Sequence, residues 1–153
     1  MSADCPPERP SLPGRLLAID YGDRRIGLAL SDPLGITAQG LPTLTVASEK
    51  AFLEALASLI REKEVTGLVL GYPRNMDDTV GPRARAMEAL AARLRAALGL
   101  PVALWDERLT SWEADAVLKT ARCPRDKRKG LRDRVAAQLI LRGYLDHLRA
   151  GGT

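Results

Sequence analysis

The sequence predicts an α/β domain built on one mixed sheet of five strands, the first three antiparallel, with helices on both faces. Three observations carry this expectation. Strand signals follow one another over the first third of the chain, separated by turns too short for a crossover. Beyond Ser48, short apolar runs alternate with helical periodicity, which brings later strands into a sheet in parallel through right-handed crossovers. The 153 residues, 46% hydrophobic, suffice for one core and fall short of two ordinary domains.

Residues 15–20 form the first strand, because Leu16 to Ile19 are apolar without alternation, the mark of a strand buried on both faces. "YGDRR" then turns, with Gly22 free to take a positive φ. In "RIGLALSD", Ile26, Leu28 and Leu30 alternate with the small Gly27, Ala29 and Ser31, a strand packed on one face and closely approached on the other. A third strand runs from Ile36 towards Val46, and Gly40 and Pro42 confine it to an edge or a bulge. Ser48 caps a helix whose face is Phe52, Leu56, Leu59 and Ile60. "TGLVLGYP" is a short buried strand, and Gly81-Pro82 opens a helix lined by Met87, Leu90, Leu94 and Leu98 and ended by Gly99. After the strand "PVALW", Thr110 and Glu113 make a capping box for a helix through Thr120. A basic loop, "RCPRDKRKG", leads to a last helix from Leu131 to Arg149. The organisation is a loose tail over 1–14, one domain over 15–149 and a short tail over 150–153.

Composition removes several classes of function. Aromatics at 4% argue against a base-stacking platform, while a net charge of +4 mildly favours a polyanionic partner. Cys5 and Cys123 stand far apart and form no CxxC pair, which suits reduced thiols and a cytoplasmic protein. The single histidine, His147, excludes a His-rich zinc site. The N-terminus has prolines and no apolar core of a signal peptide, and no apolar run spans a membrane.

Three carboxylates fall at comparable places. Asp20 ends the first strand, Glu107 follows the strand "PVALW", and Asp133 stands in the first turn of the last helix, heading its apolar stripe. Sites in such sheets form along the carboxyl ends of the strands. Three acids meeting there without histidine or cysteine describe a site for hard cations, magnesium or manganese. Two such ions activate a water and stabilise the leaving oxygen in phosphodiester cleavage. Each acid also has a plainer reading: a helix N-terminal acid for Asp133, a surface pair with Arg108 for Glu107, an Asx turn with Gly22 for Asp20.

Four blocks, "AIDYGDRRIGLALSD", "GYPRNMDDT", "DERLTS" and "DRVAAQLILRGYL", in this order and spacing, resemble the YqgF (RuvX) family over residues 15 to 148. The family lies in the RNase H-like superfamily and is associated with processing of precursor 16S rRNA. The resemblance implies an RNase H-like fold, and makes Asp20, Glu107 and Asp133 the catalytic, metal-binding set. It implies a metal-dependent nuclease of ribosome biogenesis, acting at the 5′ end of precursor 16S rRNA. Relatives in the superfamily cut four-way DNA junctions, so a resolvase acting on branched DNA stands as the alternative. The second block departs from the family pattern, with Tyr72 in place of leucine and Asp78 in place of glycine.

Basic residues around the same edge are candidates to hold the phosphate backbone: Arg24 and Arg25 in the first turn, Arg74 and Asn75 in the polar loop, and Lys127, Arg128 and Lys129 before the last helix. Each is otherwise a solvated surface charge. Trp105 and Trp112 flank Glu107 and either stack on a base or pack in the core. Two further readings compete. "DYGDRRIG" resembles the phosphate loop of the actin and sugar-kinase superfamily, though those proteins close two such domains around ATP. A catalytically silent RNA-binding protein is the other. The expected partner is RNA in a ribosomal context, bound by a monomer or a homodimer; a resolvase needs the dimer.

Overall fold

The computed structural model describes residues 9–22, 25–72, 81–106 and 125–150, with side chains in the last segment from Val135 onward. In chain order the elements are β1 (Arg15–Tyr21), β2 (Arg25–Ser31), β3 (Ala38–Thr45), α1 (Glu49–Lys63), β4 (Val65–Tyr72), α2 (Pro82–Leu98), β5 (Val102–Asp106) and α3 (Arg125–Arg149). The helix expected over Thr110–Thr120, and both cysteines, lie outside the described residues. No helix among the described residues is long and apolar enough to cross a membrane.

The five strands form one sheet in the order β3-β2-β1-β4-β5. β1 pairs antiparallel with β2, and β2 with β3. The pairs β1–β4 and β4–β5 are parallel, as crossover connections require. β3 lies at the edge, and opposite Gly27 it places two residues, Pro42 and Thr43, between the Ile26–Leu44 and Leu28–Leu41 pairs. That bulge is how the edge strand accommodates a proline without a ladder N–H.

Alternation along β1 divides the core. Leu17 and Ile19 face one side, where Phe52 and Leu56 of α1 and Met87, Leu90 and Leu94 of α2 cover them. Leu16 and Ala18 face the other, under Ala137, Ile140, Leu141 and Tyr144 of α3. Ala18 is level with Ala29 on β2 and Val69 on β4, so the side chains beneath α3 are short and the helix packs close. Ser48 caps α1 as expected, its Oγ accepting from the Ala51 N–H at 3.1 Å. Ser48→Ala is expected to cost about 1 kcal/mol, measured as a lower urea midpoint with an unchanged m-value.

Two expectations need correction. Gly22 does not adopt a positive φ. Its N–H donates to the Arg25 carbonyl at 3.0 Å, and a Cβ on Gly22 would stand 2.6 Å from that oxygen. The glycine is there for close approach rather than for handedness. Residues 9–14, expected in the loose tail, pack on the domain: the Tyr144 hydroxyl donates to the Pro10 carbonyl at 2.6 Å, and the Gly14 N–H to Pro33 O at 2.8 Å.

The β2–β3 connection is organised by Asp32. Its Oδ1 accepts from the N–H groups of Ile36 (2.7 Å) and Thr37 (2.6 Å), and its Oδ2 from that of Leu34 (3.1 Å). The Thr37 N–H, aided by those of Leu34 and Ile36, holds the Asp32 carboxyl below its ordinary value of 3.8. A depressed folded pKa gives stability that is present above the unfolded pKa and lost as pH falls through the folded one. Asp32→Asn is therefore expected to lower the thermal midpoint at neutral pH. The gap from wild type should narrow once the pH falls below about 4, as thermal unfolding across pH will show.

Candidate active site

β1, β4 and β5 run in the same direction, so Asp20, Tyr72 and Asp106 reach the same edge of the sheet. Asp20 continues the series Leu16, Ala18, and so belongs to the face covered by α3. Directly opposite it on β2 is Gly27. One step past the Ile19–Leu70 pair on β4 is Gly71, itself paired with Trp105 on β5. Asp20 is thus half-buried between two residues without side chains, and no described side chain fills its flanks in the sheet. An Asx turn with Gly22 is not formed, because that N–H goes to Arg25. Among the described residues no hydrogen bond or ion pair reaches the Asp20 carboxylate. A half-buried carboxylate with glycines on its flanks and no protein partner among the described residues has the chemistry of a hard-cation ligand.

The last helix starts earlier than the sequence suggests. It begins at Arg125, not Leu131, so Lys127, Arg128 and Lys129 are helical rather than in a loop. Asp133 stands in the third turn, not the first. The helix dipole acts within the terminal turn, which removes the plain reading of Asp133 as an N-terminal acid. Asp133 lies one turn before the buried Ala137 and two before Ile140 and Leu141. The other end of α3 is tied to the side where β1 starts, by Tyr144 to Pro10 and by Arg149 to the Gly35 carbonyl. The upstream half carrying Asp133 therefore leads away from that side. The side chains of Lys127, Arg128, Lys129 and Asp133 lie outside the described residues, as do Glu107, Arg24, Arg74, Asn75, Asp78 and Trp112. Among the described residues no three acidic, histidine or cysteine side chains gather into a metal-sized group. Of the proposed ligands, Asp20 alone has its carboxylate described.

Trp105 takes its core reading. Its ring meets Tyr144 edge-on at 6.2 Å and tilts against His147 at 5.9 Å. A Cβ on Gly143 of α3 would stand 2.8–2.9 Å from the indole, so the glycine lets helix and strand close on each other. Arg25 opens β2 opposite Thr45, beside the turn. Tyr72 ends β4 with its hydroxyl 3.1 Å from Glu88 Oε2 on α2, a tie that leucine at this position would lack. One residue at this edge escaped the sequence reading. Arg83, in the first turn of α2, brings its Nη2 to 3.5 Å from the carbonyl of Tyr21, the residue after Asp20. Its sequence neighbourhood, "GPRARAM", reads only as a helix start with solvated charges.

The RuvX family model, described as Holliday junction resolvase, matches residues 14–147. The chain is 49% identical over 135 residues to a Lachnospira eligens protein named "Putative pre-16S rRNA nuclease", covering 86% of this chain and 96% of that one. It is also 49% identical over 138 residues to a protein of the same name from Moorella thermoacetica, covering 90% and 99%. Among solved structures, RuvC of T. thermophilus in complex with a Holliday junction superposes with a TM-score of 0.55 at 16% identity, over 90% of this chain and 97% of that one. The fowlpox virus Holliday junction resolvase gives 0.50 at 13% identity, over 88% and 99%. At such identities the likeness is one of fold, and the fold is RNase H-like.

Proposed function

The chain belongs to the RuvX family, and from that premise we propose that it is a metal-dependent nuclease that hydrolyses phosphodiester bonds in the 5′-end maturation of precursor 16S rRNA. The observation that carries the proposal is Asp20: a strand-end carboxylate, half-buried between Gly27 and Gly71, without a protein partner among the described residues. The names of the relatives support RNA as substrate. Such work places the protein in the cytoplasm, in a ribosomal context.

Asp20, Glu107 and Asp133 are the residues that would hold magnesium or manganese. An all-oxygen donor set suits those hard cations and disfavours zinc. Two bound ions would supply an activated water and charge stabilisation at the departing 3′ oxygen. The chain's own part is to fix the carboxylates on rigid elements, Asp20 on a central strand and Asp133 on a helix packed against that strand's face. Arg25 and the basic first turns of α3 hold the substrate backbone, which sets register without reading sequence.

The test is a cleavage assay on single-stranded RNA, precursor 16S rRNA and four-way DNA junctions, each with manganese, magnesium or EDTA. Metal-dependent cleavage of the RNA substrates is expected. No cleavage of any substrate with either metal would sink the nuclease reading and leave an RNA-binding protein. The family model's description favours one second reading, the junction resolvase. Symmetric paired nicks in the junction by a dimer, with RNA untouched, would establish it.

A further inference from the structure

We propose that Arg83 is a substrate-contacting residue that binds a backbone phosphate of the RNA strand beside Asp20; this rests on the nuclease reading above. The guanidinium of Arg83 is held at the end of β1. Tyr21 lies past the last pair between β1 and β4, at the edge where Asp20 also stands. Arg83 Nη2 reaches the Tyr21 carbonyl there, at 3.5 Å. The side chain comes from α2, on the face opposite α3, whereas Asp20 belongs to the α3 face. A strand laid across this edge would meet the carboxylate on one side and the guanidinium on the other. Arg83 therefore suits a phosphate next to the scissile one rather than the scissile phosphate itself.

Among the described residues no carboxylate takes up the charge of Arg83. A guanidinium has five N–H donors in a planar fork, and the one bond described here goes to a neutral carbonyl. Arg93, further along the same helix, shows the contrasting structural use: it makes a bidentate pair with Glu49, at 2.7 and 2.9 Å. Arg83 has no such carboxylate among the described residues, and it is exposed. Its location also runs against helix stability. α1 has an acid, Glu49, in its first turn and Arg61 and Lys63 in its last, as the helix dipole favours. α2 has no acid in its first turn, and Arg83 stands there. A cation placed against the dipole, without a carboxylate partner among the described residues and at the sheet edge where Asp20 stands, fits a phosphate better than it fits the fold.

The experiment measures binding of a fluorescein-labelled oligouridylate to the full chain in EDTA, across a salt series. Arg83→Gln removes the charge and keeps a polar side chain, shorter than the guanidinium that reaches the Tyr21 carbonyl. It is expected to weaken binding several-fold and to flatten the slope of log K against log salt by about 0.7, the value of one phosphate contact on a single strand. Arg61→Gln, at the far end of α1 where the chain turns into the start of β4, should leave the slope as it was. A wild-type slope in Arg83→Gln would overturn the proposal and reduce Arg83 to a carbonyl cap. Absence of RNA binding by the wild type would instead overturn RNA as the substrate in the nuclease reading. If Arg83→Gln does not fold, Arg83→Lys decides by kinetics: a raised KM at unchanged kcat is expected, and an unchanged KM overturns the role.

Discussion

Asp20→Asn is expected to abolish metal-dependent cleavage and leave the protein folded. Asparagine keeps the shape of the side chain and removes its charge. With Gly27 and Gly71 on either side and no protein partner among the described residues, the change breaks no described bond. What it removes is the negative oxygen a divalent cation requires. Metal stabilisation of the transition state is worth several kcal/mol, so the rate should fall by a factor of about 10³ or more. Stability in EDTA carries a second, independent signal. Carboxylates that share a cation site repel one another without the cation, so the proposed site predicts that the variant melts at the wild-type temperature or above it. Glu107→Gln and Asp133→Asn should behave alike. Full activity in any two of the three variants would overturn the assignment.

Asp20 was legible because a carboxylate placed directly after an unbroken aliphatic run asks for an explanation, and because period-two alternation then sets its face. The strands were legible for a similar reason: Gly22, Gly71 and Gly99-Leu100-Pro101 punctuate apolar runs that are too short for helices. The start of α3 was not. Its first turns are polar all round and contain Gly130, which reads as a break, yet lysine and arginine are good helix formers and carry the helix through it. Gly22 misled because a glycine can mark either a positive φ or an absent Cβ, and sequence does not separate the two. The contacts of Gly143 with Trp105, Tyr144 with Pro10 and Arg83 with Tyr21 join residues 38 to 134 positions apart. Such contacts depend on how helices cross the sheet, and no local pattern carries that.

The early start of α3 changes what the basic cluster can do. In a loop, Lys127, Arg128 and Lys129 could all turn to one strand of RNA. On a helix, successive positions are about 100° apart, so Lys127 and Lys129 diverge by about 200°, and one strand can engage at most two of the three. Changing all three to alanine is therefore expected to flatten the salt slope of RNA binding by about 1.4, two contacts at about 0.7 each, rather than by about 2. Alanine is the strongest helix former, so the helix itself should persist in circular dichroism. Which two residues matter follows from the same geometry. Lys129 is one turn before Asp133, and Asp133 one turn before Ala137, which is buried against the sheet. The stripe that carries the proposed catalytic acid thus continues through Lys129, with Arg128 beside it. The double change Arg128→Ala and Lys129→Ala should reproduce the slope of the triple variant, while Lys127→Ala with Arg128→Ala should give about half the effect. Salt titrations of the two double variants against the same oligonucleotide decide the matter. Equal flattening by both would mean the RNA does not follow the Asp133 stripe, and an unaltered slope in the triple variant would mean this end of α3 faces away from the substrate.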